Sequence, residues 1–255
     1  MVGVCDMMGR THALTGWCGG LAVAPLVGAD DFASTLVFAA VTTGAALLPD
    51  FDHPRARASR LLGPITRVVC AALRAASRGA YRRTASDQDP HRKDPHRTLT
   101  HTFLFAFVLG GLVAALTAVT GAVGVAVTAG LMVALAVDAL GVWVLLAVVP
   151  GVVAAVVDSG SLDQLPVVLG AAVAVGCVVH ILGDWVTEAP VPMLWPVPIR
   201  GRRWFPCNAP AFLRFRVDGP VEHRVVFPVF SVLAVLLVPG VLGTVVDVVE
   251  AVLSV

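Results

Sequence analysis

Residues 33–54 read ASTLVFAAVTTGAALLPDFDHP. The uncharged run 33–48 approaches the 17–25 residues that cross roughly 30 Å of hydrocarbon at about 1.5 Å per residue. It stops at Pro49 and delivers Asp50, Asp52 and His53 within four positions. Proline ends helices and aspartate suits turns, so a polar helix stop accounts for part of this. Two carboxylates and an imidazole are more than a stop requires.

The rest of the chain has the same character. Of 255 residues, 57% are hydrophobic and 14% charged, and the mean hydropathy is +0.85. Soluble domains carry about 25% charged residues, so this composition predicts an integral membrane protein. Five cysteines (Cys5, Cys18, Cys70, Cys177, Cys207) form no C-x-x-C pair and are odd in number, which suggests free thiols rather than a zinc knuckle or a disulfide framework. Ala22-Val23-Ala24 imitates a signal-peptide cleavage site, but Pro25 directly after it and the glycines within 16–20 favour a retained first span.

Apolar runs at 11–28, 33–48, 101–120, 121–137, 139–157, 166–186 and 226–247 predict an all-α, polytopic transmembrane helical bundle of about seven spans. The chain reads as one domain over 1–255, with the loops 54–99, basic and polar, and 187–225, rich in proline, tryptophan and arginine. All 18 basic residues fall at Arg10, in loop 54–99 (11) and in loop 199–224 (six). The positive-inside rule puts all three in the cytoplasm. An even number of crossings must then separate Arg97 from Arg200, which favours splitting 121–157 into two spans and leaves the C-terminus outside.

That topology gathers the chemistry at one face. His12 opens the first span, Asp50, Asp52 and His53 close the second, His96 and His101 precede or open the third, and His180 and Asp184 close the sixth. His180 and Asp184, four apart, share a helix face and suit either a structural hydrogen bond or two ligands. In HRTLTH (96–101), Thr98 or Thr100 suits an N-cap, His101 a packed helix histidine and Arg97 an interfacial anchor. His12 by itself fits an interfacial histidine. Taken together, these groups lack a lysine or arginine within the spans to pair with, and unpaired burial of charge is costly. A divalent metal ion is the simplest compensating charge; His and Asp suit zinc, with manganese, iron or magnesium as alternatives. Trp185, Trp195 and Trp204 read as interfacial belt residues that could also roof the site, loop 82–95 as solvated with His91 idle, and Glu188 and Glu222 as candidate outer or additional ligands, with an exposed loop position the favoured reading for Glu188. No phosphate-cradling loop, nucleophile elbow or nucleic-acid-binding module is present.

The motifs GRTHALTG (9–16), LLPDFDHP (47–54), HRTLTH (96–101) and HILGDWVTEAPVPMLWP (180–196), with WFP (204–206) and GPVEH (219–223), resemble the YdjM-like family of membrane-bound metal-dependent hydrolases. The resemblance runs through most of the chain; loop 55–95 is long, and an extra pair of spans lies between His101 and His180. It implies a hydrolase distantly similar in ligand pattern to zinc-dependent phospholipase C, with one or two ions rather than three. The implied metal ligands are His12, Asp50, Asp52, His53, His96, His101, His180 and Asp184. The catalytic candidates are Arg97, as a phosphate clamp, and His53 or His96, as general acid. The expected substrate is a membrane lipid or lipid-linked phosphoester met at the cytoplasmic surface, without nucleic acid and with no oligomeric state specified. The alternatives are a metal or ion transporter, whose sites usually lie near mid-bilayer, and a scaffold with a structural metal.

Overall fold

The computed structural model describes residues 6–90, 96–146, 148–149 and 164–253. Among them the chain is helical, with three isolated bridges and no strand. The helices are α1 (Asp6–Val23), α2 (Phe32–Ala45), α3 (Pro64–Thr84), α4 (Phe103–Leu140), α5 (Leu165–Trp185), α6 (Phe227–Leu236) and α7 (Val241–Leu253). Residues 147 and 150–157 of the expected span 139–157, residues 158–163 of the turn expected at 158–166, and His91 lie outside the described residues.

The expected seven spans are not found among the described residues. Three helical stretches are long and apolar enough to cross a membrane, namely Phe32–Asp52, Phe103–Leu140 and Leu165–Trp185; a fourth arises if Glu222–Leu236 and Val241–Val252 count as one. The causes are local. α1 carries Asp6, Arg10 and His12 in its first seven residues. The expected span 226–247 breaks near Gly240 (φ 85°) and bends by 87°. The expected spans 101–120 and 121–137 form one 38-residue element with non-helical Gly121 (φ 60°, ψ −144°) inside it.

α4 doubles back at Gly121. A straight helix of that length would extend roughly 57 Å, yet both its ends lie beside the same layer. Phe103 N donates to Met193 O (2.9 Å), and Asp138 pairs with Arg57 (3.1 Å). The return arm brings the Met132 backbone against Gly44 of α2.

The helices meet through small residues, the usual way for backbones to approach in membranes. A Cβ at Gly176 of α5 would stand 2.6 Å from Ala45 Cβ and from Thr42 O of α2. Clamped there, α5 carries His180 one turn later to the end of α2, beside the short 3-10 turn Pro49–Asp52.

Loop 54–99 contains an element that the sequence reading missed. α3 is a 21-residue amphipathic helix, started by Pro64 at its first position, with Thr66, Cys70 and Ser77 buried on one face. Loop 187–225 folds onto its far end: Trp204, fully buried, stacks on Trp195 (4.7 Å between ring centroids) and lies beside Tyr81. Both indole N–H groups donate to Thr84 Oγ1, at 3.1 and 3.3 Å. Trp204 is therefore a packing residue, not a belt residue. Asp89, in the stretch expected to be solvated, accepts from the backbone N–H of Ser86 (2.7 Å) and of Trp204 (2.9 Å). Burial acts to raise its pKa, but these bonds outweigh it and hold the carboxyl below its usual value.

Candidate metal centre

Four short elements converge at the ends of α1, α2 and α5 and the start of α4. The pyrrolidine of Pro49 opens the turn that turns Asp50 inward, and the 3-10 turn Leu99–His101 does the same for His101. Thr102, not Thr98 or Thr100, caps α4 by accepting from Phe105 N (3.1 Å). Thr100 is thereby left for another task.

His101 Nε2 and His180 Nε2 stand 3.3 Å apart. Asp184 Oδ2 lies 3.2 Å from the first and 3.7 Å from the second, and Asp50 Oδ1 lies 3.7 Å from each. His12 stacks on His180 (3.9 Å between centroids) with its Nε2 3.4 Å from Asp184 Oδ1. Three overlapping groups of donors could each hold an ion: His12, Asp50 and His180; Asp50, His96 and His101; His101, His180 and Asp184.

The surrounding hydrogen bonds decide which nitrogen is available. His180 Nδ1 is 2.7 Å from Ala46 O, a carbonyl that can only accept, so Nδ1 carries the hydrogen and Nε2 presents a lone pair. Thr100 donates its hydroxyl hydrogen to Asp52 Oδ2 (2.9 Å) and stands 2.9 Å from His101 Nδ1. With its hydrogen committed, Thr100 accepts from His101 Nδ1–H, and His101 Nε2 faces inward in the same way. Such outer bonds fix ring orientation and raise ligand basicity in metal sites.

Asp52 lies in this outer ring rather than among the donor groups. Its two oxygens serve Thr100 and His96 Nδ1 (2.7 Å), and Arg74 of α3 donates to its carbonyl (3.1 Å). His53 is also outside the donor groups, with its ring 4.7 Å from that of His96. Arg97, in a left-handed conformation (φ 54°), donates to Asp184 Oδ1 (2.8 Å), Thr187 Oγ1 (3.1 Å) and Ala189 O (2.9 Å). Through these bonds it orients Asp184, a candidate ligand, and supplies from loop 54–99 the cation that the spans themselves lack. Glu222 is buried and accepts from Thr11 Oγ1 and Asp218 N, both at 2.7 Å; Glu188 is exposed. Thr187 and Ala46 O are given no role by the sequence, and Thr100, read there as an N-cap candidate, serves His101 and Asp52 instead.

These residues fit a metal ion. Two nitrogens each about 2.0–2.1 Å from one zinc at a tetrahedral angle stand about 3.3 Å apart, the separation observed. His12 Nε2 and Asp184 Oδ2 are buried without a hydrogen-bond partner, a costly state that a shared cation relieves. The site attracts a cation.

Apolar helices long enough to cross a bilayer, joined around a buried cluster of histidines and aspartates, define a helical membrane protein with a candidate metal centre. A family model described as YdjM inner membrane protein matches residues 7–244, and the chain belongs to that family. No curated protein and no solved structure matches it.

Proposed function

We propose that the chain is a metal-dependent hydrolase that cleaves a phosphoester of a lipid or lipid-linked compound at the cytoplasmic membrane surface. One observation carries this reading: the donor cluster is closed on most sides but has an open edge. His12, His101, His180 and Asp184 are buried, while the side chains of Asp50 and His96 keep 16% and 22% of their surface exposed. Structural zinc sites are closed, whereas catalytic ones keep a position for water or substrate. The placement of the donors at helix ends argues against a mid-bilayer transport site, and the arginine-rich flanks support a cytoplasmic face.

His12, Asp50, His101, His180 and Asp184 would hold one or two divalent ions, with zinc favoured and manganese, iron or magnesium compatible with N and O donors. Such an ion supplies Lewis acidity towards a phosphoryl oxygen and lowers the pKa of water from about 15.7 towards about 7. The chain supplies the rest. Ala46 O and Thr100 keep the inward nitrogens of His180 and His101 unprotonated, and Arg97 holds Asp184 in register. His96, hydrogen-bonded through Nδ1 to Asp52 and partly open to solvent, is the candidate to relay a proton to the leaving oxygen.

The test is phosphate-ester hydrolysis in proteoliposomes loaded with zinc or manganese, using phospholipids and lipid phosphates. Turnover by the wild type, abolished in Asp50→Asn and slowed 10²–10⁴-fold in His96→Gln, supports the reading. No turnover of any such ester by metal-loaded protein contradicts it.

A further inference from the structure

A cavity of about 670 Å³ lies between α1, α5, α6 and the end of loop 187–225. Its polarity is graded. Thr11, His12, Thr187 and Glu222 gather at one end, and Val179, Phe230, Leu233 and Leu237 form the remainder. The polar end is continuous with the metal centre through His12, whose ring stacks on His180 and whose edge lies 3.1 Å from where a Cβ of Gly183 would stand. A side chain at 183 would crowd His12, the shared wall.

The depth is informative. Along α6 and the residues flanking it, the lining runs from Val226 to Leu237, roughly 16 Å at about 1.5 Å per residue. That is about half of a ~30 Å hydrocarbon core, the reach of one leaflet's chains. α5, the opposite wall, is one of the helices that meets the length and hydropathy of a span. An apolar hollow of this kind does not hold water, and the medium around such a helix is hydrocarbon. At the mouth, Phe212 is 85% exposed and Leu213 49% exposed, an apolar rim.

We infer that this cavity is a slot for one acyl chain of a membrane lipid, holding the lipid so that its headgroup lies at the polar end, against His12 beside the metal centre. The inference rests on the hydrolase reading for the purpose of the slot, not for its occupancy. Specificity would then follow from chain length, since a chain longer than the slot has to leave it at Leu237.

The experiment is photo-crosslinking in proteoliposomes with a phosphatidylglycerol that carries a diazirine near the end of one acyl chain, with labelled sites mapped by mass spectrometry. Expected is labelling of 179–186 and 226–237 at least five-fold above that of Val119 and Val123, which are 86% and 72% exposed on α4. Leu182→Trp and Val221→Trp place an indole at half-exposed wall positions, 43% and 48% exposed, where core packing is spared. Each should abolish the enrichment, while Val119→Trp leaves it intact. Labelling that merely follows exposure, or that both wall variants leave unchanged although they retain wild-type metal content and elution volume, overturns the slot. Labelling does not require turnover, so failure of the hydrolase reading would appear separately, as cleft labelling without hydrolysis.

Discussion

Thr100 Oγ1 sits between Asp52 Oδ2 and His101 Nδ1, 2.9 Å from each. A single hydroxyl thereby couples the turn that ends α2 to the histidine that precedes α4, and its committed hydrogen fixes which nitrogen of His101 faces the centre.

Thr100→Val removes that coupling with almost no change of shape. Outer-sphere partners of metal-binding histidines are typically worth 10–100-fold in affinity, so zinc affinity should fall by that factor. Competition with a chromophoric chelator measures it; an unchanged affinity would show that His101 needs no such support.

Arg97 lies against a carboxylate that has no access to solvent. Arg97→Ala should cost about 3–5 kcal/mol, because it strands a buried charge, and the loss should be smaller in protein loaded with metal. Denaturant titrations of metal-free and metal-loaded protein provide the comparison. Equal losses in the two states would indicate that no ion shares Asp184.

Gly176 tolerates no side chain without moving α2. Gly176→Leu should prevent α5 from docking and yield no folded protein, and even Gly176→Ala should cost about 1–3 kcal/mol. Gly111→Ala, where nothing lies within 4 Å, should be neutral or slightly stabilising. Thermal melts in detergent distinguish these outcomes.

The clamp between α3 and loop 187–225 should loosen in acid. The folded pKa of Asp89 lies below its unfolded value of about 3.9. Its contribution is therefore present above that value and lost as pH falls through the folded pKa. Protease nicking of the clamp should rise below about pH 4 in the wild type and be pH-independent in Asp89→Asn.

The parts of this architecture that depend on composition and spacing were legible in the sequence. LLPDFDHP, HRTLTH and the His180/Asp184 pair each mark a helix end, and the structure brings all three together with His12. Which acid faces inward was not legible, because Asp50 and Asp52 differ only in which way a 3-10 turn aims them, and the turn's packing against α3 decides that. α3 itself was hidden by its arginines: counting charge concealed a buried face as narrow as Thr66, Cys70 and Ser77. Trp204 looked like a belt residue because its stacking partner and Thr84 are distant in sequence. The boundary expected between 120 and 121 falls at the non-helical Gly121, whereas the run 226–247 breaks near Gly240, a turn that hydropathy alone does not mark.

The central claim is that the histidine and aspartate cluster holds a metal ion. Elemental analysis of detergent-purified protein, comparing wild type with the His180→Ala, Asp184→Ala double variant, tests it most directly. The account predicts at least one equivalent of zinc, manganese or iron per wild-type chain and its loss in the variant. A well-folded wild type that holds no metal even after supplementation would contradict it.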